Sequence, residues 1–360
     1  MNMRRLLGSR GTYERFAFDS SDDIDVDEMA TLATDAWAAD YVDVVRPDFP
    51  PAVLRRLMGG SGWFGVGVWL NTGEMVGYEL ALPRVLLCRG VTLNAYYVTA
   101  FTVSSAHRRH GLGRWILEGI NSVAFAERGT DIVFSTFHQG HAGSPTVQAT
   151  FDQIDDWAVN RFHQTAIWTR RLDRGALSEL DERVQVTRLA LANDVLTAVS
   201  TGAPAPWTAA ELEHAIEAGH DVSFSLSGQF ASSYLSADED GVGSLWIEIN
   251  DDAWAFVPYV VQPLTTNTMP AFKFGQVQGI FGRGLNQENS AQVLTALLHF
   301  FRGLGCMAAG IFDTGGLAPA ALRGAGLELD DDRYYYAVRG PTANISLFDT
   351  VRPPYFIDFS

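Results

Sequence analysis

The sequence predicts an α/β protein, of the α+β kind with mixed β-sheets, built as two similar domains in tandem. Each domain is expected to be a central mixed sheet flanked by helices. Three observations carry that prediction. Runs of β-branched and aromatic residues alternate along the chain with segments of helical periodicity. The elements after residue 195 follow nearly the same order as those before it. The 360 residues, 47% of them hydrophobic, also exceed what one core of about 150 residues needs.

Taken in order, Asp25–Ala39 opens with acidic residues and spaces Met29, Leu32, Ala33 and Trp37 near one helical face. Pro51–Met58 has an early proline and predicts a short second helix. Trp63–Leu70 and Met75–Leu82 flank Asn71-Thr72-Gly73-Glu74 and predict a hairpin, whose second strand continues through Val85–Leu87 to a turn at Arg89-Gly90. Asn94–Val103 reads as a buried strand. A polar loop, Ser104–His110, then leads into an apolar helix from Gly111 to about Ala126. A strand at Asp131–Phe137, a short helix at Thr146–Ile154 and a strand at Thr165–Leu172 follow. Polar Asp173–Asp194 reads as helix or linker and marks the boundary between domains 1–180 and 181–360.

The second domain predicts a helix at Thr208–Ala218 and strands at Asp221–Leu226, Phe230–Leu235, Ser244–Ile249, Trp254–Val261 and Phe272–Phe281. A long helix at Ser290–Gly303, a strand at Cys306–Phe312, a short helix at Ala318–Arg323 and a last strand at Tyr334–Val338 complete it.

The net charge of −16 lacks the basic footprint that a phosphate backbone requires, so nucleic acid is not expected as a partner. That charge divides into −4 for residues 1–180 and −12 for residues 181–360. Cys88 and Cys306 lie far apart with no CxxC or His spacing, which predicts neither a disulfide framework nor a structural zinc site. No apolar run approaches the roughly 18 residues of a membrane span, and Met1–Arg10 is not followed by an apolar signal region. A reducing, cytoplasmic setting without membrane association is expected.

The chemistry concentrates in Phe101-Thr102-Val103-Ser104-Ser105-Ala106-His107-Arg108-Arg109-His110-Gly111-Leu112-Gly113-Arg114. A strand ends, a basic loop follows, and glycines stand where a helix begins. Free N–H groups at a helix N-terminus, the helix dipole and close backbone approach at glycine make an anion site suited to a diphosphate. The spacing is neither GxGxxG nor GxxxxGK.

Arg108-Arg109-His110-Gly111-Leu112-Gly113 resembles the (Arg/Gln)-x-x-Gly-x-(Gly/Ala) signature of the GNAT superfamily of acyl-CoA-dependent N-acyltransferases. The resemblance covers residues 12–172, and residues 195–340 fit a second, diverged copy. It implies acetyl-CoA or another short acyl-CoA as co-substrate. Phe101 and Val103 would pair with the pantetheine arm, and the Val103 N–H would stabilise the oxyanion. Arg108, Arg109, His110, Gly111, Leu112, Gly113 and Arg114 would hold the pyrophosphate end. Where some members carry a glutamate base this chain has Tyr97, which strand alternation places on the face of Phe101 and Val103.

The family's usual acid, a tyrosine in Asn-x-x-Ala-x-x-x-Tyr, falls in Ser144–Phe151, where Phe151 has no proton to give. His138 and His141 are the candidate replacements, set against the bland reading of surface-loop histidines. The second copy reads Gly282-Arg283-Gly284-Leu285-Asn286, a decayed loop. Apolar residues close to the chain end predict a docked terminus. Because tandem members (the N-myristoyltransferases) use a C-terminal carboxylate as base, Ser360 is a further candidate.

The resemblance thus implies an N-acyltransferase, most simply an N-acetyltransferase, acting on the amine of a small molecule by direct attack in a ternary complex; the acidic second half, by its charge alone, would suit a cationic acceptor. Other thioester chemistry (decarboxylation or acylation of a carrier protein) and a non-catalytic CoA-binding module remain alternatives, and a homodimer is left open. No metal site is expected.

Overall fold

A computed structural model describes residues 4–41, 45–138, 149–152, 157–192, 195–227, 231, 234–235, 241–353 and 355–356. Its longest hairpin pairs Met75–Cys88 with Val91–Val103, antiparallel from Cys88↔Val91 to Gly77↔Val103. The two turn residues both take positive φ, 50° at Arg89 and 80° at Gly90, which matches the right-handed twist of the flanking strands. Phe64–Leu70, Tyr13–Phe18 and Arg5–Arg10 extend this ladder outward.

One helix covers each face. Val26–Asp40 starts where the Asp25 carboxylate accepts from the amides of Asp27 and Glu28, and it buries Met29, Ala30, Ala33 and Ala36. Leu112–Asn121 buries Trp115, Ile116 and Ile120 on the other face. Burying Met29, Ile116 or Ile120 contributes roughly 1.5–3 kcal/mol each, and each alanine less.

The second half repeats the plan with Gln185–Ala192, Val242–Asn250, Ala253–Thr265 and Phe272–Val277, the helix Gln287–Gly303 and the strand Ala308–Phe312. Three expectations change here. The polar stretch Asp173–Asp194 contains the strand Gln185–Ala192, paired with Val242–Asn250. Of the expected strand Phe230–Leu235, Ala231 and Tyr234 are helical and Leu235 is a bend, while the rest lies outside the described residues. Phe272–Phe281 is broken into Phe272–Val277 and Phe281–Arg283.

The two halves do not close separate sheets. Glu328–Gly340, from the second half, lies between Ile132–His138 and Ala158–Arg171 of the first. Ala158–Arg171 in turn pairs with Ala308–Phe312 of the second half. The halves therefore exchange their last strands, and one mixed sheet runs through the molecule.

The exchange carries Arg339 into the first core, where it is 0% exposed. Its guanidinium donates to Phe151 O (2.9 Å) and to Asn121 Oδ1, and lies 4.2 Å from the centre of the Phe151 ring. Burial pushes the Glu79 carboxyl up to about 8 against the opposing pull of Arg339. Further joints are Arg46–Pro47 against Leu264–Thr265 and Val222–Phe224 against Leu86–Cys88. Tyr355–Phe356 pairs with Val222–Ser223, and Tyr355 is buried, while residues 357–360 of the segment expected to dock lie outside the described residues.

Candidate active site

Val91–Val103 and Ile132–His138 run parallel and pair only at Ala95↔Ile132, Tyr96↔Val133 and Tyr97↔Phe134. The Ser135 hydroxyl still reaches Val98 O at 3.3 Å, and beyond that the strands part. A bulge accompanies the opening. Between Leu80↔Thr99 and Tyr78↔Thr102 two residues, Ala100 and Phe101, oppose Glu79 alone, and Ala100 takes φ 55°.

The bulge also inverts the alternation. Tyr97 and Ala100 belong to the core beneath Val26–Asp40, whereas Phe101 and Val103 pack against the core of Leu112–Asn121. The expectation that Tyr97 shares a face with Phe101 and Val103 is therefore overturned. Tyr97 is 5% exposed, with its ring 5.1 Å from that of Phe134. At the strand end, the Ser104 amide donates to Val76 O (2.9 Å). Successive amides of a strand point to opposite sides, so the Val103 N–H faces the gap.

The loop beyond holds its amides outward. Ser105–His107 forms one 3-10 turn, Arg109 takes φ 65°, Gly111 takes φ 72°, and the helix begins at Leu112 without a side-chain cap. Among the described residues no backbone bond outside regular elements uses the amides of Arg109 to Arg114, and a helix's first turn has no internal partners. A Cβ on Gly113 would sit 3.0 Å from Phe101 Cζ, so glycine permits the helix to start against that ring.

The three loop arginines differ. Arg108 grips the Asp40 carboxylate (Nη2–Oδ2 2.9 Å, with a second contact from Nη1) and also donates to Ala36 O. Its Nε also donates to Val103 O (3.4 Å), so the guanidinium expected to hold pyrophosphate ties the strand end to the Val26–Asp40 helix. Arg114 pairs with Glu118 (3.0 Å). Arg109 is exposed and has no acidic partner among the described residues. His107 and His110 pack around Tyr13, whose hydroxyl is 3.2 Å from His107 Nδ1. Arg10 reaches Glu118 (3.4 Å) across the Trp115 ring, a neighbour that no local motif signals.

Across the gap, His138 ends its strand with Nε2 3.1 Å from Asp332 Oδ1 and its ring 4.8 Å from that of Tyr334. Phe151 is core, packed on Phe137 at 5.2 Å. His141, Ser144–Gln148 of the acid motif and Ser360 lie outside the described residues. No group of His, Cys, Asp and Glu among the described residues could hold a metal ion. A cleft of about 430 Å³ lined by Arg89, His214, Glu217, His220 and Asp221 lies at the other end of the Val91–Val103 strand, and shares no residue with the gap.

No family model and no curated protein matches the sequence. Solved structures do match. A Saccharomyces cerevisiae N-myristoyltransferase with bound myristoyl-CoA superposes with TM-score 0.65 at 12% identity, over 92% of this chain and 80% of that one. The chain has the tandem GNAT fold. A glucosamine N-acetyltransferase region of a fungal multi-domain β-N-acetylglucosaminidase matches with TM-score 0.58 at 12% identity, over 92% of this chain and 38% of that one.

The two halves of this tandem GNAT fold differ at the corresponding loop. In the second half, Asn286 caps its own helix by accepting from the Asn289 amide, and the Asn289 side chain donates to Gly284 O (2.7 Å). The parallel strands there stay paired through Val277↔Ile311. Beyond them Trp168, Ile311, Phe312 and Leu317 help line a void of about 10 Å³, no larger than one water. One helix N-terminus is open beside a gap, and its counterpart is closed by its own side chains.

Proposed function

We propose that the protein is an acyl-CoA-dependent N-acyltransferase. It moves a short acyl group, acetyl first among them, to the amine of a small cationic molecule by direct attack in a ternary complex. The observation that carries this reading is the conjunction of the open amide loop at Arg109–Arg114 with a strand edge whose Val103 N–H faces the gap.

The loop amides, Gly111 and Gly113 foremost, and the Arg109 guanidinium hold the pyrophosphate, while Arg114 and His110 stand at its edge. The Phe101 and Val103 backbone aligns the thioester-bearing arm. The Val103 N–H then donates to the carbonyl oxygen as negative charge develops there. The nitrogen–carbon bond forms and the carbon–sulfur bond breaks, so positioning and oxyanion stabilisation supply most of the rate. His138 is assigned the proton transfers.

The buried Phe151, without a proton to donate, favours a second reading in which the same gap runs other thioester chemistry. Calorimetric titration with acetyl-CoA and with myristoyl-CoA, followed by mass spectrometry of products from a panel of amines, separates these. The first reading expects acetyl-CoA binding and an acylated amine. Free CoA released without any acylated amine supports the second, and no binding of either CoA ester removes both.

A further inference from the structure

The gap between the parallel strands has two faces. The arginine loop and Leu112–Asn121 occupy the face of Phe101 and Val103. On the other face, groups from three distant parts of the chain meet. Tyr41 follows the Val26–Asp40 helix with its ring stacked on Trp37 at 5.4 Å, and Trp37 donates to Thr102 Oγ1 at 3.1 Å. Those two contacts fix Tyr41 beside the end of the Val91–Val103 strand. His138 ends the facing strand with the parity of Phe134, which points into the core on this same side. Tyr334, from the second half, stands directly opposite His138 in the ladder.

Asp332 reaches this place through a register shift. Leu329 pairs with Trp168 and Arg333 with Ala166, so Asp330, Asp331 and Asp332 together oppose Ile167 alone and bulge from the sheet. Asp40 is matched by Arg108. Arg333 donates to the backbone carbonyls of Asp330 and Asp332 and to neither carboxylate. Among the described residues the Asp332 carboxylate has ion-pair contact with His138 alone, at 3.1 Å.

That contact is short but misaligned. Both ring nitrogens of His138 are buried, and among the described residues neither has a hydrogen-bond partner. Burial first, and the nearby aspartates second, hold the Tyr41 and Tyr334 hydroxyls far above the ordinary phenol range, so both phenols stay neutral. A carboxylate, an unsatisfied imidazole and two neutral phenol rings together suit a small ammonium group.

We propose that Asp332, supplied by the second half, selects a cationic amine as the acceptor, holding its ammonium group between Tyr41 and Tyr334 on the face opposite the arginine loop. The assignment rests on the N-acyltransferase reading. The ammonium loses two protons: His138 relays one to solvent before attack, and the second ends on the departing sulfur. The nitrogen lone pair forms the amide bond, and the carbon–sulfur electron pair leaves with sulfur.

The test uses the full chain, saturated with CoA and titrated calorimetrically with putrescine, spermidine and tyramine, in wild type, Asp332→Asn and Asp331→Asn. At least one amine is expected to bind to wild type and to Asp331→Asn, and to bind about tenfold more weakly to Asp332→Asn, with CoA affinity equal in all three. Equal amine binding by Asp332→Asn, or binding of CoA with none of the three amines, overturns the assignment while leaving the acyltransferase reading in place. Absence of CoA binding removes that reading and this assignment with it.

Discussion

Arg108 and Arg109 are adjacent, carry the same charge and fill the same six-residue signature, yet their surroundings give them different work. Arg108 is tied to Asp40 and Ala36 O, and Arg109, at φ 65°, stands in solvent at the loop's mouth. Arg109→Ala is expected to weaken acetyl-CoA binding about tenfold, with a shallower salt dependence than wild type, as calorimetry at two ionic strengths will measure. Arg108→Ala is expected instead to lower stability by about 1–2 kcal/mol in denaturant titration, because Asp40 loses its partner at the helix end. Equal loss of CoA affinity in both variants would contradict this division. The spacing of the signature was legible in the sequence. The partner of Arg108 was not, since Asp40 lies 68 residues away and only folding brings it to the loop.

Periodicity located most elements to within a few residues, including the helix Val26–Asp40 and the hairpin of Phe64–Leu70 with Met75–Cys88. It failed where an element lacks an apolar stripe. Gln185–Ala192 buries only Leu189 and Ala190, and its polar residues hide the strand. It failed differently at Ala100, whose left-handed conformation no local alternation announces. That one residue turns Tyr97 away from Phe101 and Val103 and accompanies the opening of the sheet. Ala100→Val places a β-branched side chain at φ 55° and is expected to cost about 1–2 kcal/mol, whereas Ala100→Gly keeps stability and CoA binding near wild type. Chemical denaturation and CoA titration of the pair will check this, and a fully stable Ala100→Val would refute the account of the bulge.

At the scale of the molecule, the exchanged strands make each half incomplete. Without residues 181–360, the strands Ile132–His138 and Ala158–Arg171 lose the strand between them, and the first core loses Arg339. Residues 1–180 expressed alone are therefore expected to show no cooperative thermal transition and rapid proteolysis, while the full chain melts cooperatively. A cooperative melt of that fragment would refute the interdependence. The sequence by itself determined the alternation of strands and helices, the repeated element order, the basic, glycine-bearing loop before a helix and the excess of negative charge in the second half. These follow from spacing, turn chemistry and composition, which act over a few residues. Tertiary structure alone decided which arginine faces the loop's mouth, where the sheet opens and which half supplies Asp332. Those depend on pairing between strands such as Ile132–His138 and Glu328–Gly340, nearly two hundred residues apart, and no local pattern encodes a partner at that distance.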